Sequence, residues 1–114
     1  MTSGIFFVEF SVGPNNVGGG LAVIAAGDIN GGDATYLYRG YIDVYGNQAK
    51  AVIEVSHYRG PLNSVFGPLK KFTLELNGFS DGHAFDIQGA ITGTTSPIIH
   101  IVGRKVSPLY ERKD

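Results

Sequence analysis

The stretch Gly27-Asp28-Ile29-Asn30-Gly31-Gly32-Asp33-Ala34-Thr35-Tyr36-Leu37-Tyr38-Arg39-Gly40 decides the fold class of this chain. Its first half, residues 27–33, holds glycine, asparagine and aspartate around one apolar residue. These types adopt positive φ at low steric cost, so this half predicts a tight reversal. The second half alternates, with Tyr36 and Tyr38 on one face and Leu37 and Arg39 on the other. A period of two is typical of a β-strand, and the stretch therefore indicates an all-β protein.

The same alternation recurs along the chain and predicts an antiparallel meander. It marks seven strands, near residues 3–12, 20–26, 34–44, 48–58, 70–78, 84–92 and 98–105. Apolar residues occupy one face of each strand. The predicted inner positions include Phe6, Val8, Phe10 and Val12, then Ala49, Ala51, Ile53 and Val55, then Phe72, Leu74 and Leu76, and finally Phe85, Ile87 and Ile91. The triplet Gly18-Gly19-Gly20 lacks the lysine of a P-loop and predicts a flexible turn.

Glycines on the inner faces indicate that the meander closes. They are Gly40, Gly78, Gly89 and Gly103. A strand coils most sharply where an inward residue has no side chain, so these positions favour a small lipocalin-like β-barrel of about seven to eight strands. A β-sandwich is the alternative, and it needs fewer inward glycines. Residues 1–108 are predicted to form one barrel domain, with a frayed tail at 109–114.

Composition restricts the classes of partner. The formal net charge of −1 provides no electrostatic basis for binding nucleic acid or an anionic membrane. The chain has no cysteine, which excludes disulfides and thiolate metal sites. Its N-terminus lacks the basic region of a secretory signal, and no apolar run approaches membrane-spanning length. These features predict a cytoplasmic protein.

No set of residues forms a catalytic or metal-binding pattern. His57, His83 and His100 lie in separate strands or turns without the short spacing of zinc ligands. The segment 28–33 resembles the start of a calcium loop, but Arg39 stands where the bidentate glutamate would be needed. Ser56 precedes His57 on a strand, so their side chains point to opposite faces. We therefore expect no enzyme, no cofactor and no metal.

Polar side chains on the predicted inner faces suggest a cavity. Tyr36, Tyr38 and His57 point inward among apolar neighbours, and Phe72 and Phe85 complete the candidate lining. Buried hydroxyl and imidazole groups need hydrogen-bond partners. Either these groups satisfy one another or trapped water, or they line a cavity for a small apolar ligand.

Apolar residues on the outer faces predict a homodimer. Ile5, Phe7, Ile98 and Val102 have outward parity, and the first and last strands of a closed meander are neighbours. The candidate interface has a polar rim of Glu9, His100 and Arg104. The alternative is that the tail residues Leu109 and Tyr110 fold over this patch within one chain.

Short motifs resemble the GrlR family of negative regulators of type III secretion. They are the Gly31-Gly32-Asp33 turn followed by Tyr36, Tyr38 and Gly40, then Val55-Ser56-His57, and Ser64-Val65-Phe66-Gly67. The resemblance implies a small lipocalin-like barrel, usually dimeric, that acts by binding a protein partner such as a transcriptional activator. It also implies an acidic partner-binding loop after the strand that contains Tyr36 and Tyr38. In this chain the corresponding residues, 43–48, include one acid, Asp43. The alternative function is a carrier or sensor of a small apolar ligand held inside the barrel.

Overall fold

The fold is a closed antiparallel β-barrel of eight strands, seen in a computed structural model that describes residues 1–14, 17–62 and 69–113. The strands are β1 (Gly4–Ser11), β2 (Val17–Ala25), β3 (Asp28–Gly32), β4 (Tyr36–Tyr45), β5 (Gln48–His57), β6 (Lys71–Ser80), β7 (Ala84–Ile91) and β8 (Ile99–Ser107). Each strand pairs with the next, and β8 pairs with β1. The predictions of an all-β class and of a closed meander are confirmed.

The predicted reversal at residues 27–33 is wrong, because most of it forms the additional strand β3. The chain reverses after β3 at residues 33–35 and before it at Ala26 and Gly27, whose φ values are 51° and 86°. Positive φ at both central residues is the geometry of a two-residue hairpin turn. Ile29 packs into the core, and the glycines after it serve close approach between strands. A Cβ on Gly31 would overlap the carbonyl oxygen of Leu21.

The predicted flexible turn at Gly18-Gly19-Gly20 is also wrong. These residues belong to β2, which begins at Val17 and pairs with β1 from there to Ile24. Gly19 lies beside the ring of Phe7, whose Cζ is 3.3 Å from where a Gly19 Cβ would stand. The ladder with β1 and this ring contact keep the glycines extended despite their low strand propensity.

The inner faces follow the predicted parity. Phe6, Leu74, Leu76 and Ile101 are among the fully buried residues of one continuous core. Three of the four inward glycines leave room for the backbone of a neighbouring strand, and Gly103 leaves room for the Phe85 ring. At Gly40, a Cβ would overlap the carbonyl oxygen of Val52 on the neighbouring strand, and Gly78 and Gly89 show the same kind of overlap. The wall therefore curves at these positions, as closure of a small barrel requires.

The two ends of the barrel are closed by different segments. At the Met1 end, which holds the turns at 26–27, 46–47 and 81–83, Met1 packs against the core and the Thr2 amide donates to Gly82 O at 3.0 Å. At the opposite end, called the Asp33 end, residues 33–35 join β3 to β4. There the amide of Tyr58, just after β5, donates to Thr35 O at 2.9 Å.

Candidate interaction surface

A groove of about 710 Å³ crosses the outer wall of the barrel near the Met1 end. Outward side chains of β6, β7, β8 and β1 form most of its walls, because alternate residues of neighbouring strands share a face. Its lining includes Phe7, Glu9, Phe79, Asp86, Val102, Arg104 and Val106. We call this feature the outer groove.

Apolar side chains dominate the outer groove and remain accessible. Phe79 is 64% exposed, Val106 58% and Phe7 41%. The strand register connects them, since Phe7 lies opposite Arg104 while Val102 lies between Glu9 and Asp86. Phe79 in turn lies opposite Asp86. The outer groove therefore joins these apolar side chains and their charged neighbours in one surface, unlike isolated exposed residues, and such patches commonly mark interaction sites.

The charged groups of the outer groove are mainly acidic. Glu9, Asp81 and Asp86 contribute carboxylates, and Arg104 contributes a guanidinium group. Asp86 Oδ1 lies 2.5 Å from His100 Nε2. The carboxylate of Asp81 accepts the backbone N–H groups of His83 and Ala84, which lowers its pKa from the usual value. The groove thus combines apolar side chains with carboxylates that favour basic groups.

The structure brings together three of the four residues predicted to form a dimer interface. Ile5 and Phe7 are consecutive outward residues of β1, and Val102 of β8 lies opposite the next one, Glu9. Ile98 precedes β8 and lies beyond the His100–Asp86 pair, apart from the others. Tyr110 is 90% exposed, so its side chain does not cover the patch.

The predicted cavity residues divide between the two ends of the barrel. Tyr36 gathers with His57 and Phe72 at the Asp33 end, with ring centroids 5.5 Å and 6.5 Å from its own. Tyr38 lies nearby, and its ring is 4.7 Å from that of Phe10. Phe85 lies at the Met1 end, where the centroid of its ring is 6.1 Å from that of Phe6. The five residues do not enclose one site.

The inner polar groups have partners within the protein. The Tyr36 hydroxyl donates to Leu69 O at 2.7 Å, and His57 Nε2 lies 2.8 Å from Gly60 O. The Tyr38 hydroxyl donates to Asp33 Oδ2. These hydrogen bonds favour the interpretation in which the polar groups stabilise the fold over the one in which they await a ligand.

Asp33 accepts several hydrogen bonds besides that of Tyr38, and the sequence reasoning missed its role. Its Oδ1 accepts the backbone N–H groups of Thr35 and Tyr36, both at 2.8 Å, as in an Asx-turn. Its backbone oxygen accepts the Tyr58 hydroxyl at 2.6 Å. Burial, followed by the hydrogen bond to Asp33, raises the pKa of Tyr38 far above its usual value. The signal was an aspartate two residues before a threonine at the start of a strand.

Comparison with known proteins does not assign the chain to a family. No protein-family model matches the chain, and no curated protein matches it in sequence. Within residues 1–14, 17–62 and 69–113, no group of three potential metal ligands comes together. Over the same ranges, no helix has the length and apolar character to cross a membrane. The motif at 64–67 that contributed to the family resemblance lies outside the described residues.

Proposed function

We propose that this chain is a non-enzymatic regulatory protein that acts in the cytoplasm by binding a protein partner in the outer groove. The observation that carries the proposal is the exposure of Phe7, Phe79 and Val106 along one continuous groove. Aromatic side chains in accessible apolar depressions are typical anchors of protein interfaces. The lack of cysteine suits a reducing compartment.

The resemblance to the GrlR family supports the same function. It suggests a lipocalin-like barrel that regulates secretion by binding a transcriptional activator. The acidic loop implied by that family is reduced here to Asp43, which lies within β4. The outer groove, with its own carboxylates, therefore becomes the better candidate for partner binding on this chain.

A homodimer is part of the proposal. Ile5, Phe7 and Val102 lie on the β1 side of the outer groove, while Phe79 lies on the β6 side. A two-fold axis through the β1 side would place this patch against the same patch of a second copy of the chain. Phe79 would then remain accessible to the partner. Light scattering should give the mass of a dimer for the wild type and of a monomer for Phe7→Glu. A monomeric wild type, or a dimeric Phe7→Glu protein, would contradict this interface.

Affinity capture with matched surface variants tests the partner-binding function. Tagged wild type, Phe79→Glu and Tyr41→Glu proteins are expressed in the source cells, and captured proteins are quantified by mass spectrometry. Tyr41 is an exposed aromatic residue on β4, outside the outer groove, and serves as the control. We expect one partner to be enriched by the wild type and Tyr41→Glu and lost with Phe79→Glu. Equal capture by all three proteins would rule out the groove as the binding site.

A further inference from the structure

Strand β2 extends past the end of its neighbour β3. It pairs with β1 from Val17 to Ile24, but with β3 only from Leu21 to Ala25. Among the residues that the structure describes, none is paired with the β3 side of Val17–Gly19. We call this segment the open edge. A closed barrel normally leaves no unpaired strand edge, so this one is an exception within the wall.

The register of β2 against β3 shows in which direction the backbone groups of the open edge point. The carbonyl oxygen of Leu21 points toward β3, because it would overlap a Cβ placed on Gly31. Backbone groups alternate between the two sides of a strand. The N–H and C=O groups of Gly19 and Val17 therefore point to the open edge, while those of Gly18 point to β1.

The side chains of the open edge do not shield these groups. Natural edge strands are commonly protected by lysine, proline or a bulge, whereas this one reads Val17-Gly18-Gly19. Gly19 is exposed on the outer face, and the ring of Phe7 lies beside it. Glu9 of β1 lies directly opposite Gly19 and points outward. Glu9 is itself exposed, so its carboxylate is accessible on the outer face of this pair of strands.

We propose that an extended segment of a protein partner, with alternating basic and apolar residues, adds to the open edge as an extra strand. Its backbone would bond to Val17 and Gly19, as in other cases of strand addition. A lysine opposite Gly19 would reach the Glu9 carboxylate on the neighbouring strand. The inference rests on the proposed function, since it names how the partner docks.

The size of the open edge favours a linear segment over a second copy of the chain. Three residues of strand span about 10 Å. A specific dimer normally buries at least about 1,000 Å² of surface in total, far more than a pairing of this length provides. A short extended peptide needs no larger edge, because its main-chain hydrogen bonds and one or two side-chain contacts carry the binding.

Amide exchange in the free protein tests whether the open edge is unpaired. Measured by NMR, the Gly19 amide should exchange at least about ten-fold faster than the Gly18 amide, which faces β1. If the Gly19 amide is already protected in dilute protein, another part of the chain covers the edge and the proposal fails. Protection that appears only as the protein concentration rises would show that a second copy occupies the edge, and this also overturns the proposal.

Peptide binding tests whether an extended segment adds to the open edge as a strand. The probe is a six-residue peptide of alternating lysine and valine, and the control replaces lysine by glutamate. We expect the lysine peptide to protect the Gly19 and Val17 amides. The affinity should fall about ten-fold or more in Gly19→Pro, which removes one edge N–H, and also in Glu9→Gln. Gly19→Ala is the matched control, because it adds a Cβ at the same place, 3.1 Å from Val8 O, but keeps the edge N–H, and it should retain the affinity.

The outcomes separate this inference from the proposed function. Unchanged peptide affinity in Gly19→Pro, or equal binding of the glutamate peptide, would overturn strand addition. If partner capture still depended on Phe79, the proposed function would stand without it. Loss of capture in Gly19→Pro together with peptide protection of the Gly19 amide would support both.

Discussion

Replacing Asp33 by alanine should destabilise the barrel, because the buried hydroxyl of Tyr38 loses its hydrogen-bond acceptor. The Asp33 carboxylate accepts two backbone N–H groups at 2.8 Å and the hydroxyl of Tyr38. Tyr38 is only 2% exposed, so its hydroxyl loses its acceptor within the wall of the barrel. The substitution therefore removes a turn-stabilising group and leaves a buried donor without a partner.

The expected cost follows from these two effects. Loss of a side chain that caps backbone N–H groups costs about 1 kcal/mol. A buried hydroxyl without a partner costs about 1–3 kcal/mol more. The free energy of unfolding should thus fall by about 3 kcal/mol, a large part of the ~5–15 kcal/mol typical of a domain. In a Tyr38→Phe background the second effect is absent, and Asp33→Ala should cost only about 1 kcal/mol.

Urea denaturation of the four proteins in this double-mutant cycle measures the coupling. We expect a coupling free energy of about 2 kcal/mol between Asp33 and Tyr38. Asp28→Ala is the control, because Asp28 is an exposed acid at the other end of β3, the strand that precedes Asp33, and its loss should change stability by about 0.5 kcal/mol or less. If Asp33→Ala cost the same with tyrosine or phenylalanine at position 38, the hydrogen bond would not stabilise the fold as argued.

Two further predictions concern pH and the parity of the wall. Burial raises the pKa of Tyr38 above its usual value of 10.0, so the folded state keeps the proton that the unfolded state loses. The stability linked to Tyr38 is complete below that value and is lost as pH rises above it. The unfolding free energy of the wild type should therefore fall more steeply above pH 10.0 than that of Tyr38→Phe, and parallel curves would contradict this. Phe72→Asp should abolish cooperative folding, because it places an unpaired carboxylate in the core, while Thr73→Asp on the outer face should melt close to the wild type. Equal melting of these two variants in circular dichroism would mean that the register of β6 is wrong.

Much of the wall could be predicted because alternation is a local property. Phe72 and Thr73 are assigned to opposite faces by their neighbours in sequence alone. The failures at 18–20 and 28–32 share one cause. Glycine has low strand propensity, and only pairing with another strand keeps it extended. Such pairing, of Gly31 with Ala22 for example, does not appear in the local pattern.

The candidate sites were less predictable than the wall. The outward parity of Phe7 and Val102 was evident, but the distance between Ile98 and Phe7 depends on the register of β8 against β1. Phe79 was not singled out, because its place in the outer groove depends on three neighbouring strands. The hydrogen bond of Tyr38 to Asp33 required the direction of a turn, which residue types alone do not specify.

By itself, the sequence determined that this protein is an all-β meander, which side of each strand faces the core, and that inward glycines let the wall close. These properties follow from the period of two and from the absence of a side chain at particular positions. Only the tertiary structure decided that residues 28–32 form a strand, that β2 keeps an open edge, and that Phe7 and Phe79 share a groove. Each of these depends on which distant residues become neighbours, and strand register, which no local pattern contains, determines that.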